Sequence, residues 1–270
     1  MSVYDKYLRN DKFPIIWCAG CGHGIVLKAM LRAIDRIGLD KDKVVVVSGI
    51  GCSSRAPGYL DFNTLHTTHG RAIAFASGVK IAKPELEVIV ITGDGDATAI
   101  GGNHYIHAAR RNINLTVILF NNNIYGMTGG QVSPTTPRGK KASTAPYGSS
   151  EHAFNISGLA EAAGASFVAR GTAFDAIALD RMIEKAIRNK GFSVVEAIST
   201  CPTAFGRRNR IADPVDLLRW VKDNSINRLR AEKMKPEELE DKIITGIFVD
   251  QRKPELTAGL AELERQLSDK

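Results

Sequence analysis

The stretch Glu87-Val88-Ile89-Val90-Ile91-Thr92-Gly93-Asp94-Gly95-Asp96 is an apolar, β-branched run that ends abruptly in alternating glycine and aspartate. A second run, Leu115-Thr116-Val117-Ile118-Leu119-Phe120, ends in Asn121-Asn122-Asn123. Short apolar runs bounded by turn residues read as strands buried on both faces. The segment 97–111 between them reads as the crossover helix that joins two parallel strands. Both polar clusters then stand at carboxyl ends of buried strands, where open α/β sheets bind their ligands.

Working outward, strands are predicted near 43–48, 87–92, 114–120, 165–170 and 192–198. They alternate with helical stretches near 24–37, 69–82, 98–111, 155–163 and 174–189. That alternation predicts the α/β class with a doubly wound parallel sheet. Residues 126–152, rich in Gly, Pro, Ser and Thr, are too long for an ordinary connection and read as a loop over the site. Residues 1–209 read as the main domain. From 210 to 270 the composition changes: an amphipathic stretch at 214–233, a charged run at 235–242, a strand candidate at 243–249 and a polar end. This helical and extended tail is expected to pack on the main domain or on a partner.

Asp94 and Asn122 offer the hard oxygen ligands that magnesium takes when it bridges protein and diphosphate. Gly93 and Gly95 leave room for backbone to approach a phosphate, and a helix start beyond them favours an anion. The competing reading is an ordinary strand-to-helix turn with an asparagine cap.

The chain has four cysteines, Cys18, Cys21, Cys52 and Cys201. Trp17-Cys18-Ala19-Gly20-Cys21-Gly22 places two thiols on one glycine-containing loop, while Cys52 and Cys201 each follow a predicted strand. If these strands are parallel, all three loops reach the same sheet edge. Four thiolates suit zinc or an iron-sulfur cluster, and Cys52 and Cys201 could also be small buried residues. Spacing alone leaves the three open.

Composition sets the bounds. With 270 residues, 44% of them hydrophobic, the chain can bury a substantial core. No apolar run approaches the roughly 18–20 residues of a membrane span, and Met1-Ser2-Val3-Tyr4-Asp5-Lys6 lacks a signal-peptide apolar region. A cytoplasmic location is expected, with no membrane partner. The net charge of +7 suits an acidic partner or a polyanionic cofactor. No nucleic acid is expected, because no RNA-binding motif, zinc-finger spacing or basic-aromatic interleaving is present. His104 and His107 lack the carboxylate of a zinc helix. Arg207, Arg208 and Arg210 read as a solvated basic loop rather than a docking site for an acidic partner or a phosphate-bearing ligand.

Taken together, these segments resemble the β subunit of 2-oxoacid:ferredoxin oxidoreductases, especially the 2-oxoglutarate branch. The resemblance covers most of residues 10–205. It is carried by the Cys18–Cys21 loop through His23, by Gly49-Ile50-Gly51-Cys52-Ser53-Ser54-Arg55, by His66-Thr67-Thr68-His69-Gly70-Arg71-Ala72, by the Gly93–Asp96 motif, and by Asn121-Asn122-Asn123-Ile124-Tyr125-Gly126-Met127-Thr128-Gly129-Gly130-Gln131.

The resemblance implies thiamine diphosphate with Mg2+ on Asp94, Asn122 and the Ile124 carbonyl, and one 4Fe-4S cluster on Cys18, Cys21, Cys52 and Cys201. Gly22, His23, Gly93, Gly95, Asp96, Tyr125 and Thr128 would bind or line the cofactor, with His69 and Arg71 facing the reacting carbon and substrate. His69 could instead simply cap a helix.

The implied reaction is reversible oxidative decarboxylation of 2-oxoglutarate with coenzyme A to succinyl-CoA and carbon dioxide, electrons leaving through the cluster to ferredoxin. Pyruvate and branched-chain 2-oxoacids are the substrates next in line. The cofactor-activating glutamate belongs on a separate pyrimidine-binding domain, so an α subunit is expected, in an αβ or (αβ)2 assembly. Two readings from other classes stay open here: a non-redox thiamine diphosphate carboligase or decarboxylase, and a zinc-stabilised assembly subunit.

Overall fold

A computed structural model describes residues 2–269. Strands β1 (Val44–Ser48), β2 (Asn63–His66), β3 (Glu87–Gly93), β4 (Leu115–Asn121), β5 (Phe167–Thr172), β6 (Phe192–Ile198), β7 (Ser225–Asn227) and β8 (Ile243–Asp250) form one sheet in the order 2-1-3-4-6-5-8-7. The helices are α1 (Val3–Tyr7), α2 (His23–Ile37), α3 (Ala72–Ala82), α4 (Gly102–Arg110), α5 (Ile156–Ala162), α6 (Ala176–Arg188), α7 (Pro214–Asp223), α8 (Arg228–Ala231), α9 (Pro236–Leu239) and α10 (Leu256–Ser268).

Strands β1 to β6 pair in parallel, and β8 lies antiparallel on β5. Every residue of β1, β4 and β6 is buried, because helices cover both faces of the sheet. Successive strand residues alternate between two cores. Val44, Val46, Ile89, Ile91 and Ile118 pack under α2 and α6, while Val45, Val47, Val88, Val90 and Val117 pack under α3, α4 and α5.

The five expected central strands are present, and the strand expected at 243–249 is β8. Two strands carried no readable signal. Strand β2 is short, polar and largely exposed at the sheet edge, and β7 has three residues. The first strand pairs run β1 to β2 on one side and β1 to β3 on the other, so the order reverses at β1. Connections leave in opposite directions there and open a crevice at the carboxyl ends. The tail from residue 210 adds β7 and β8 to this same sheet. No helix among the described residues is long and apolar enough to cross a membrane.

One buried ion pair ties the strands that stand behind the crevice. Arg170 on β5 is the register partner of Glu196 on β6, and its Nε donates to Glu196 Oε2 at 2.8 Å. Burial pushes the Glu196 carboxyl up, but Arg170, Ser157 and Asn121 together hold it below the usual glutamate range. A depressed carboxylate contributes stability above its ordinary range that is lost as pH falls through the folded value. Arg170→Met leaves that charge buried without its partner and is expected to cost about 3–5 kcal/mol, roughly 10 °C in melting temperature. The sign of the pH dependence should also reverse in the variant, which regains stability on acidification as Glu196 protonates. Thermal melts of both proteins between neutral and acidic pH check this.

Candidate active site

At the reversal point the carboxyl ends of β1, β3 and β4 enclose a cleft of about 100 Å³. Its lining includes His23, His69, Asp94, Asn122, Ile124 and Thr128, together with Gly93, Gly95, Asp96, Tyr125 and Cys52. Residues separated by over a hundred positions in sequence thus share one wall. Two of the expected residues stand off this lining. Gly22 packs on the Ser199–Thr200 backbone, where any Cβ would crowd Ser199 Oγ at 2.7 Å. Arg71 turns its Nη1 to the carbonyls of Gly70 and Ile100.

Asp94 follows the last residue of β3 and is buried. The hydroxyls of Ser133 and Thr135 donate to its Oδ2 at 2.6 and 2.5 Å. Burial pushes the carboxyl up to about 6, against those two hydrogen bonds, which lower it. A buried carboxylate so poorly compensated by protein groups suits a hard divalent cation.

Across the cleft the asparagines form a tight turn. Asn123 takes a left-handed φ of 61°, which asparagine tolerates. Asn121 Oδ1 accepts the Asn123 N–H at 3.1 Å, and Asn122 Oδ1 accepts the Ile124 N–H at 3.3 Å. A carboxylate, an amide and a nearby backbone carbonyl fit the hard-ligand chemistry of magnesium held on a diphosphate.

Asp96, expected at the cofactor, has both carboxylate oxygens on protein donors. Oδ1 accepts from Gly70 N at 2.7 Å, Ile50 N at 3.3 Å and His69 Nδ1 at 2.6 Å. Oδ2 accepts from Thr92 Oγ1 at 2.7 Å. Asp96 therefore pins the loops after β1 and β2 to the end of β3. A Cβ at Gly49 would fall on this carboxylate, so that glycine is required by the close approach. Because Asp96 already accepts backbone N–H groups as an anion, the His69 proton is assigned to Nδ1. Nε2 is left as the basic nitrogen of the ring.

His23, the first residue of α2, is buried between the rings of Trp17 and Phe120. Its Nδ1 lies 2.9 Å from Ser199 Oγ, and burial pulls its pKa down to about 4. It is a neutral wall of the cleft.

The four cysteines meet beside this cleft. A Cβ placed on Gly126 would stand 3.4 Å from Cys201 Sγ, 3.5 Å from Cys52 Sγ and 3.8 Å from Asn122 Nδ2. Thr203 Oγ1 lies 3.6 Å from Cys18 Sγ and 3.9 Å from Cys201 Sγ. Trp17 Nε1 donates to the Cys52 carbonyl at 2.7 Å and so ties the Cys18–Cys21 loop to the Cys52 loop. Burial, followed by the neighbouring cysteines, pushes the Cys21 thiol up to about 12, and burial with Cys201 and Cys18 pushes Cys52 to about 11. Such thiols become ligands only when a metal centre displaces their protons. No three His, Cys, Asp or Glu side chains among the described residues stand at the spacing of a single-ion site. Two single turns of π-helix, Asp96–Ile100 and Pro202–Gly206, follow closely on Asp94 and Cys201, and such turns recur at functional sites.

Residues 49–197 match the family model for the thiamine pyrophosphate enzymes, C-terminal TPP binding domain. The 2-oxoglutarate synthase subunit KorB of Methanothermobacter marburgensis is 58% identical over 94% of the chain and 90% of that protein. The 2-oxoacid:ferredoxin oxidoreductase subunit beta of Saccharolobus solfataricus is 42% identical over 86% of the chain and 76% of that protein. The chain belongs to this KorB, or β-subunit, family of thiamine pyrophosphate enzymes.

A solved structure, the 2-oxoglutarate:ferredoxin oxidoreductase from Magnetococcus marinus with 2-oxoglutarate, coenzyme A and succinyl-CoA bound, superposes with a TM-score of 0.87. It shares 35% identity over 98% of this chain and 90% of that one. Family membership makes the chain a subunit of an oxidoreductase. That removes the non-redox carboligase from the readings left open by sequence.

The residues that sequence reasoning missed are the cleft's supports. Ser133 and Thr135 lie in a loop rich in Ser and Thr, where no periodicity marks two hydroxyls out. Asn121 was visible only as a neighbour of Asn122, and Glu196 was hidden inside an apolar strand.

Proposed function

We propose that the chain is the β subunit of a 2-oxoglutarate:ferredoxin oxidoreductase, oxidising 2-oxoglutarate with coenzyme A to succinyl-CoA and carbon dioxide. The observation that carries this reading is Gly126. A Cβ there would lie within 4 Å of the Cys52 and Cys201 sulfurs and of Asn122 Nδ2 alike, so a magnesium-diphosphate site and a cysteine-bound electron acceptor would be close neighbours.

Asp94, Asn122 and the Ile124 carbonyl would hold Mg2+ with the diphosphate of thiamine diphosphate, and Cys18, Cys21, Cys52 and Cys201 would hold one 4Fe-4S cluster. Bound there, these groups supply decarboxylation chemistry and a one-electron route toward ferredoxin. The chain's own residues do the rest. Asp96 holds His69 in the tautomer whose Nε2 can take or return a proton. His23 stays neutral and excludes water from the inner wall. Gly93 would leave room for the diphosphate, Gly95 makes way for the Tyr125 ring, which a Cβ would strike, and Tyr125 and Thr128 would line the site. Arg71 would reach substrate at the outer rim. The α subunit would bring the pyrimidine-binding domain, giving an αβ or (αβ)2 complex in the cytoplasm.

The test is anaerobic. The αβ complex, mixed with 2-oxoglutarate and coenzyme A, is expected to release carbon dioxide and develop the EPR spectrum of a reduced 4Fe-4S cluster, while the β chain alone does neither. Carbon dioxide release from an iron-free complex, or turnover by β alone, would overturn the reading. Faster reduction by pyruvate than by 2-oxoglutarate would move the substrate assignment.

A further inference from the structure

We infer that Glu196 is a positioning residue for the metal and diphosphate site, acting through Asn121 on both Asp94 and Asn122. The inference rests on the reading of Asp94 and Asn122 as magnesium ligands. Glu196 lies in the middle of β6, flanked by Val194, Val195, Ala197 and Ile198, all buried. A carboxylate there stabilises the sheet less than a well-packed apolar side chain of similar volume would. Its two oxygens have separate partners. Oε2 accepts from Arg170 Nε at 2.8 Å and Ser157 Oγ at 2.6 Å, and Oε1 accepts from Asn121 Nδ2 at 2.8 Å.

That last bond fixes which way the Asn121 amide faces, since a carboxylate accepts only from the NH2 side. With Nδ2 committed, Oδ1 is the acceptor on the opposite side. It takes the Asn123 N–H at 3.1 Å, which shapes the turn carrying Asn122. It also stands 2.9 Å from Thr135 Oγ1, the same hydroxyl that lies 2.5 Å from Asp94 Oδ2. One hydroxyl proton faces two acceptors and is held between them. Glu196 is therefore three hydrogen bonds from Asp94, through Asn121 and Thr135, both buried, and one turn from Asn122.

Glu196→Gln separates orientation from packing because it is isosteric. Arg170 and Ser157 both donate, so they hold the glutamine oxygen at the Oε2 position and turn its NH2 toward Asn121 Nδ2. Two donors then meet, the Asn121 amide rotates, and Oδ1 leaves both Asn123 N and Thr135. Partners of this kind behind metal ligands typically change metal affinity by about ten- to a hundredfold.

The experiment is calorimetric titration of thiamine diphosphate into the αβ complex at a series of Mg2+ concentrations, for wild type, Glu196→Gln, Thr135→Val and Thr135→Ser. The Gln and Val variants are expected to need about ten times more Mg2+ or beyond for half-maximal binding. Thr135→Ser should stay near wild type, and the loss should vanish at saturating Mg2+. Unmoved magnesium dependence in Glu196→Gln, or a loss that persists at saturating Mg2+ and follows the melting temperature in all three variants, overturns the inference. Wild-type binding that does not depend on Mg2+ would instead overturn the metal-ligand reading beneath it.

Discussion

Asp94→Ala is expected to abolish magnesium-dependent binding of thiamine diphosphate by the αβ complex. Asp94 is a buried carboxylate of the cleft, and burial has already pushed it up to about 6. Its two donors, Ser133 and Thr135, both reach Oδ2. A hard cation bridging to a diphosphate needs protein charge to compensate both its own dehydration and its confinement. Alanine removes that charge and takes away the shared acceptor of two buried hydroxyls. Because a change behind a ligand already costs about ten- to a hundredfold, loss of the ligand itself should exceed that range. Asp94→Asn keeps an acceptor for the hydroxyls without the charge and should bind nearly as poorly. Calorimetry with and without Mg2+ measures this, and unchanged binding in Asp94→Ala would refute the magnesium assignment.

The second large effect is expected at Cys201. Cys201→Ala should remove essentially all cluster iron and labile sulfide, silence the EPR signal of the reduced complex, and stop ferredoxin reduction, while magnesium-dependent cofactor binding persists. Cys201 is buried, and its sulfur approaches both the Gly126 backbone beside Cys52 and the Thr203 hydroxyl beside Cys18. It is the thiol shared by both halves of the cysteine set. Replacing sulfur by hydrogen costs the fold little, since the residue lies at a loop where π-helix Pro202–Gly206 begins. A three-cysteine site would lack the fourth thiolate that a cubane cluster takes. Full iron content and an unaltered spectrum in this variant would exclude Cys201 as a ligand. Loss of cofactor binding together with iron would mean that the two sites fold as one unit.

Much of this protein was legible because its strands are buried on both faces. Such strands must be continuous apolar runs, and a polar cluster that interrupts one marks a sheet edge. Gly93–Asp96 and Asn121–Asn123 are such interruptions, so β3, β4 and the place of the site could be read directly. Four cysteines on three loops, two of them following buried strands, pointed to one edge by the same topology. Strand β2 escaped because an exposed edge strand has no apolar requirement, and Asn63-Thr64-Leu65-His66 carries none. The antiparallel direction of β8 escaped because pairing partners distant in sequence leave no local trace.

Sequence by itself determined the central strands and helices, the doubly wound sheet and the polar loops at its carboxyl edge, since each follows from local periodicity and residue chemistry. Tertiary structure alone decided how their polar atoms are shared. It engaged both Asp96 oxygens with Ile50, Gly70, His69 and Thr92 at the edge of the cleft. It also connected Asp94 through Thr135 and Asn121 to Glu196, across residues 94 to 196. A hydrogen bond is fixed by distance and direction within a few tenths of an ångström, and no residue's neighbours in sequence encode that.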